Sequence, residues 1–335
     1  MNQRALRSEG QLFVIYLLLL LFSPYLFYRY SPGEALMSIF TPLLEFVAPV
    51  VPGDIFPYFF TMEMFQRAMI SAIIVTIVAG LLGSFLLVRN LALIGDGLAH
   101  VSFGGVAIGI VLGATHPLYY ALAFSIIASI IIYELQYRGI LTGDASIAIF
   151  LTGMLALGLV ALRTNGGGIT TDIEGYLFGN LLLIDGSDLD LISWICIGSL
   201  LILFLIRSGL LAITVDPLAA AVQGIPVRTI GFLFSVITAA VVVSMVQVVG
   251  ALLVTSLLVT PAATAQLVGR SFRSCLLWTQ FFGFSSVMLG LYFSAERDTG
   301  SGSMIALVSA IIFCLMAILT YAPKFINYNE KSFEE

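Results

Sequence analysis

The sequence predicts an all-α integral membrane protein with about nine to ten transmembrane helices. Composition is the first reason: 60% of the 335 residues are hydrophobic and 10% are charged, against about 25% charged in an ordinary soluble domain. The second is the form of the apolar runs. They are long and unbroken, near the roughly 20 residues that a helix needs to cross a hydrocarbon core of about 30 Å. A β-barrel would instead show short segments of alternating polarity. The third is that most acidic residues fall between the runs, as they do when the runs lie in lipid.

The spans are expected near 11–29, 66–88, 93–113, 118–137, 145–163, 188–206, 229–248, 250–268, 274–295 and 304–322. The first follows Arg4 and Arg7 and superficially resembles a signal peptide. No small-residue cleavage site follows it, so it reads as a retained span. The stretch from Ile230 to Gly269 has no charge and no obvious loop. A single helix of that length would reach about 60 Å, so two spans with a tight turn near Gln247 to Gly250 are expected. Residues 30–65 carry Pro32, Pro42, Pro49, Pro52 and Pro57 among aromatic and aliphatic residues. They read as a short interfacial helix with turns on the outer leaflet. The chain thus divides into an extra N-terminal helix with a Pro-rich external segment (1–65), a transmembrane core (66–322) and a polar tail (323–335).

Basic residues favour the cytoplasmic side. A cytoplasmic N-terminus places Arg4, Arg7, Arg89, Arg138, Arg207, Arg228, Arg270, Arg273, Lys324 and Lys331 inside, and only Arg29, Arg67, Arg163 and Arg297 outside. Asp172, Glu174, Asp185, Asp188 and Asp190 then face outward, and both termini are cytoplasmic. Cys196, Cys275 and Cys314 are far apart in or near apolar runs and read as small hydrophobes. No basic patch points to nucleic acid. With two lysines and no G-x-x-x-x-G-K-[ST], the chain has no P-loop of its own.

Chemistry concentrates in LALIGDGLAHVSFGGVAIG, residues 91–109. Asp96 and His100 are one helical turn apart and project from the same face. An acid at membrane depth costs roughly 2.5–3.5 kcal/mol on insertion scales, so it faces a cavity or a partner. Carboxylate and imidazole are ordinary ligands for zinc, manganese or iron(II). From the pattern alone, the pair either handles a metal ion or satisfies only itself. Gly105-x-x-x-Gly109 on the same helix is a small-xxx-small pattern that lets two helices approach closely. It is expected to carry a symmetric dimer axis, with two residues from each copy making a set of four ligands. Ser102 beside His100 is not hydrolase geometry, because residues two apart on a helix do not face each other.

Three further stretches carry candidates. In VDPLAAAVQGIPVR, Asp216 is an N-cap, Pro217 the first helical residue and Gly224 the stop. This short helix, with Ala220 in it, either docks a partner or is a surface connector. Thr255, Ser256, Thr260 and Pro261 mark a span with a proline break that either lines a path or bonds back on its own turns. EGYLFGNLLL, residues 174–183, is too short to span and reads as a re-entrant or interfacial turn broken at Gly179 and Asn180. His116 lies in an external turn and reads as incidental.

LVRNLALIGDGLAHVSFGGVAIG, YLFGNLLL, DPLAAAVQGIPVR and VVGALLVTSLLVTPAATA occur in the order and spacing of a known family. Over about residues 60–322 the chain resembles the permease subunits of prokaryotic ABC transporters that import manganese, zinc or iron(II). The resemblance implies a homodimeric permease in the cell membrane, two cytoplasmic ATPase subunits and an extracytoplasmic metal-binding protein. It implies no catalytic residue and no permanently bound cofactor; Mn2+, Zn2+ or Fe2+ is the cargo. It carries the metal path onto Asp96 and His100, and the coupling to the ATPase onto Asp216, Pro217, Ala220 and Gly224. Thr255, Ser256, Thr260 and Pro261 are candidates for the pathway or gate. The glycines at 166–168 and the first 65 residues depart from the family pattern. A self-powered secondary transporter or channel for divalent cations is the alternative reading.

Overall fold

The computed structural model describes residues 31–165, 171–179, 181, 184–251 and 253–333, with the side chains of all of these but 171–174 and 323–333. The expected span at 11–29 lies outside the described residues. The described chain is helical nearly throughout. A first helix, α1 (Pro32–Val47), and a single turn, α2 (Tyr58–Thr61), precede α3 (Glu63–Val88), α4 (Ile94–Val111), α5 (Pro117–Tyr137) and α6 (Gly143–Thr164). A short α7 (Thr171–Phe178) leads to the long α8 (Gly186–Val215) and a one-turn-and-a-half α9 (Pro217–Val222). Then come α10 (Val227–Val249), the broken pair α11 (Val254–Leu258) and α12 (Thr260–Val268), and finally α13 (Phe272–Arg297) and α14 (Ser301–Phe333). Among the described residues nine helices are long and apolar enough to cross a membrane. Eight of them coincide with expected spans, and α1 is the ninth.

The expected span at 250–268 is corrected. The turn after α10 falls where it was expected, at Gly250 with φ +91°. The second limb, however, is two helices of 5 and 9 residues that meet at Val259. At 1.5 Å per residue they reach about 22 Å, short of a bilayer core. Pro261 explains the break. In a helix interior its ring would clash with the preceding turn, whereas in the first turn of α12 its missing N–H costs nothing.

α1 joins two helix starts. The backbone N–H of Gly33 donates to Asp190 Oδ1 on α8 at 2.7 Å, and the Thr41 hydroxyl donates to Gln66 Oε1 on α3 at 3.1 Å. Further along this segment, the backbone N–H groups of Ile55 and Phe56 both donate to Glu296 Oε1 at the end of α13, each at 2.9 Å. The starts of α3 and α8 and the end of α13 therefore share one end of the bundle, the aspartate end. At the opposite end Glu134, on the last turn of α5, accepts from Arg138 at 2.7 Å and from Arg228 at the start of α10 at 2.9 Å. That arginine end also carries Arg89, between α3 and α4.

α10 is buried along almost its whole length, and α3 and α4 along most of theirs. They form the centre; α5, α6, α8, α13 and α14 surround them and leave large apolar side chains exposed, as lipid-facing helices do. In lipid, burial of apolar surface does not drive helices together, so close packing must. Glycines supply it. A Cβ at Gly104 would sit 2.6 Å from the Met154 carbonyl oxygen on α6, and one at Gly105 2.8 Å from the Ala121 Cα on α5. Gly109 meets Pro117 of α5, and Gly97 meets Ile147 of α6. The expected role of these glycines is thus corrected: α5 and α6 of the same chain occupy the small-residue faces of α4, and a second α4 does not fit there.

Because backbone atoms cannot swing aside, Gly104→Val is expected to cost at least the 1–3 kcal/mol of an overpacked core and to abolish a monodisperse peak in detergent size-exclusion chromatography. Gly153→Ala on α6, where an added Cβ meets nothing within 4 Å, is expected to keep the peak.

Candidate functional site

The site is what remains of α4 once its neighbours are subtracted. Positions 96, 100, 103 and 107 share one helical face. Gly97 and Gly104 face α6, Gly105 and Gly109 face α5, and Gly95 packs on Leu258 of α11. Toward the aspartate end, Phe103 and Ala107 are covered by Leu155 and Leu162 of α6 and Leu177 of α7. Toward the arginine end the stripe is open: the Asp96 side chain keeps 31% of its surface, while that of His100 keeps 10%. The pair is therefore roofed on one side and accessible from the other.

Asp96 lies in the first turn of α4, where the helix N-terminus favours a negative charge by about 0.3–1 kcal/mol. His100 Nε2 is 3.8 Å from Asp96 Oδ1. That is an ion-pair distance for an imidazolium but too long for a hydrogen bond. Among the described residues, buried His100 Nδ1 has no hydrogen-bond partner. A buried polar atom left alone costs about 1–3 kcal/mol, so the pair as it stands does not satisfy itself. Among the described residues no group of three or more His, Cys, Asp or Glu is placed to hold a metal ion. A tetrahedral or octahedral ion needs at least four donors, so these two side chains alone do not complete a metal site.

α9 follows the sequence closely. Asp216 Oδ1 accepts from the N–H groups of Leu218 at 2.9 Å and Ala219 at 3.0 Å, with Pro217 in the first turn. The helix closes with paired bonds from Gly224 N to Ala221 O and from Ile225 N to Ala220 O, both 3.0 Å. That double closure requires a left-handed residue at 224, and Gly224 has φ +81°. Ala220 is buried against the bundle, whereas Leu218 and Val222 are 79% and 90% exposed. Two apolar side chains on a rigidly capped turn outside the spans form a knob.

The remaining candidates are brought near but not into the site. α11 packs against α3 and α4 through Leu258, which meets Gly83 and Gly95. The Ser256 hydroxyl bonds back to Leu253 O at 2.5 Å, and its carbonyl accepts from Ser309 of α14 at 3.1 Å. The Thr260 carbonyl accepts from Thr264 at 2.8 Å, and Pro261 is buried. Gly179 ends α7 at φ +77°, where the break was expected; Asn180 lies outside the described residues. Gly179 touches Val249 and Gly250 at the turn after α10, and Gly302 at the start of α14 touches the carbonyls of Val249 and Phe178. Sequence reasoning missed this convergence of three glycines at the aspartate end; their spacing in the chain carries no sign of it. His116 makes a ring contact with Tyr119, 6.0 Å between centroids, and lies near enough to Asp185 and Asp188 to interact with them electrostatically.

A polytopic helical bundle with an acid and an imidazole on an open intramembrane stripe, and a capped apolar knob outside it, defines a membrane transport component. Residues 61–320 match the model of the ABC 3 transport family, and the chain belongs to it. It is 35% identical over 263 residues to the manganese import system permease protein ScaB of Streptococcus gordonii, covering 77% of this chain and 91% of that one. It is 32% identical over 253 residues to the high-affinity zinc uptake system membrane protein ZnuB of Haemophilus influenzae, covering 76% and 96%. The solved structure of PsaBC from Streptococcus pneumoniae in complex with Fab superposes with a TM-score of 0.67 at 32% identity, covering 76% of this chain and 91% of that one. The chain is thus a permease subunit rather than an enzyme, with the ABC transporter permease fold.

Asp216→Ala is expected to remove both capping bonds and to cost about 1 kcal/mol locally. Hydrogen exchange at the Leu218 and Ala219 amides checks this: both should speed up roughly five-fold while the amides of α10 keep their rates.

Proposed function

We propose that the chain is the transmembrane subunit of an ATP-driven importer of a divalent transition metal ion, Mn2+, Zn2+ or Fe2+. It works as a homodimer with two cytoplasmic ATP-binding subunits and an extracytoplasmic metal-binding protein, in a prokaryotic cell membrane with both termini cytoplasmic. The observation that carries this reading is the unfinished pair, Asp96 with His100, in a chain whose relatives are named for manganese and zinc transport. A second copy set against the open stripe supplies the other carboxylate and imidazole. Two of each form a borderline site whose affinity alone rises toward zinc, so selectivity comes from geometry, delivery and availability.

The residues divide the work. Asp96 neutralises the ion and His100 binds it through a ring nitrogen that must be unprotonated to do so. Phe103 and Leu177, over the stripe, keep the ion from returning to the aspartate end in the described conformation. The break at Val259, between Ser256 and Thr260–Pro261, lets α11 and α12 shift beside α4 without unwinding a full span. At the arginine end, Leu218 and Val222 seat in the ATPase, and the caps at Asp216 and Gly224 make α9 a stiff lever, with Pro217 and Ala220 fixing it to the bundle. Ahead of the permease core of 66–322, the Pro-rich segment that ends at residue 65 is an added external element.

Uptake of manganese, zinc and iron(II) by Asp96→Ala and by His100→Ala complexes that still assemble is expected to fall by at least about ten-fold. Wild-type uptake by both would refute the metal-path role, and uptake in proteoliposomes without ATP would refute the ATP-driven one. The double variant Leu218→Asp, Val222→Asp is expected to keep the permease folded and to lose co-purification of the ATPase.

A further inference from the structure

A cavity of about 590 Å³ opens at the arginine end, well away from the aspartate end and on the side of α4 where the chain enters it from α3. Its walls come from five parts of the fold: the end of α3 with Arg89 and Asn90, the end of α5 with Tyr133 and Gln136, the end of α8, α9 with Pro217, Leu218 and Ala221, and the first turns of α10. Among the described residues Arg89 is the one charged residue in the lining.

Several polar side chains around Arg89 in that lining are engaged elsewhere. The Tyr133 hydroxyl donates to Arg228 O at 2.9 Å, Ser235 to Ser129 O at 3.0 Å, and Thr214 and Thr238 bond back to their own turns. Gln136 donates to Gly143 O and to the Ser146 hydroxyl. The acid nearest this end, Glu134, holds Arg138 and Arg228. The Arg89 guanidinium lies over the face of Phe234 at 5.2 Å and close enough to Tyr133 to interact electrostatically, and among the described residues no acid forms an ion pair with it. Burial pushes its pKa below the ordinary value, yet an arginine stays charged in a protein. A half-buried guanidinium offers five N–H donors, and its planar fork matches a phosphate oxygen pair.

The rim decides which anion fits. Val88, Tyr137 and Leu218 are exposed there, and Leu86, Ile94, Ile213 and Phe234 line the interior. A ligand with a charged head and an apolar body covers such a surface, whereas a bare anion leaves it wet. Two more arginines, Arg138 and Arg228, share a single acid nearby, so the local field is positive. Basic pockets between membrane helices take anionic lipid headgroups for the same reason.

We propose that this cavity is a binding site for a phosphate-bearing anion held by Arg89, with the headgroup of an anionic phospholipid as the form its rim favours. Filling it buttresses α9 from the bundle side, because Pro217, Leu218 and Ala221 are one wall. The binding step stands apart from the transport reading and is tested without it.

The full-length permease, purified with the subunits that accompany it, is reconstituted in nanodiscs of phosphatidylcholine with or without 20% phosphatidylglycerol, and its thermal unfolding is followed. The same melt is run in phosphatidylcholine with 10 mM inorganic phosphate. Phosphatidylglycerol is expected to raise the midpoint of the wild type and of Arg138→Gln, which removes an equal charge outside the cavity, but not that of Arg89→Gln. A rise with phosphatidylglycerol alone identifies a lipid; a rise with inorganic phosphate as well identifies a soluble anion. No rise in the wild type, or an equal rise in Arg89→Gln, overturns the site and leaves an acidic side chain of a partner as the counterion of Arg89. Should Arg89→Gln fail to fold, native mass spectrometry of phosphatidylglycerol retention decides. Retention by Arg89→Lys is expected to be roughly five-fold weaker than by the wild type, and equal retention overturns the proposal.

Discussion

The packing of α4 against its own chain is the constraint on which the rest of the structure depends. Hydrocarbon gives helices no hydrophobic reason to associate, so the contact must come from shape. Glycines at 95, 97, 104, 105 and 109 bring α4 against α5, α6 and α11 so closely that most of a Cβ layer is missing. That closeness fixes the helix rotation. With three sides occupied, the stripe bearing Asp96 and His100 has one orientation, and the acid that membrane insertion penalises is turned toward the remaining opening. Loosening any of these contacts would let α4 rotate and carry the two side chains away from each other's partners. Besides the His100 ring at 3.8 Å, the place of Asp96 in the first turn sets helix N–H dipoles against its carboxylate.

Much of this was legible in the residues. Eight spans follow from apolar run length, and the capped α9 follows from Asp216, Pro217 and Gly224 almost atom by atom, because caps and left-handed stops are local. Asp96 and His100 stood out because the cost of an intramembrane charge is visible in a sequence. What was not legible is which partner a small residue meets. Gly105-x-x-x-Gly109 says that something approaches closely and not whether it is the same chain; α5 was the answer, not a second α4. The break at Val259 was half visible, since Pro261 announces it, but whether a proline kinks a helix or divides it depends on the neighbours. The Arg89 cavity was invisible, because five separated segments make its walls.

The two ends of the bundle differ in how they are held. The arginine end is tied by charge: Glu134 bridges α5 to α10 through Arg228, and Arg89 lies over Phe234. The aspartate end is tied by backbone contact, where Gly179, Gly250 and Gly302 meet with no side chains between them. Charged ties in partly wet surroundings trade partners readily, whereas a glycine contact is either made or absent. A permease that opens alternately at its two ends would thus have a graded closure at one and an all-or-none closure at the other.

The segment from Gly33 to Phe56 adds a mechanical limit. It is fastened to α8 through Asp190 and to α13 through Glu296, with Thr41 holding Gln66 of α3 on the way. Those three helices cannot separate at that end by more than the slack in this strap without breaking one of these hydrogen bonds, most of them half-buried. The strap acts as a stay between those helices: small excursions leave its hydrogen bonds intact, and large ones break them.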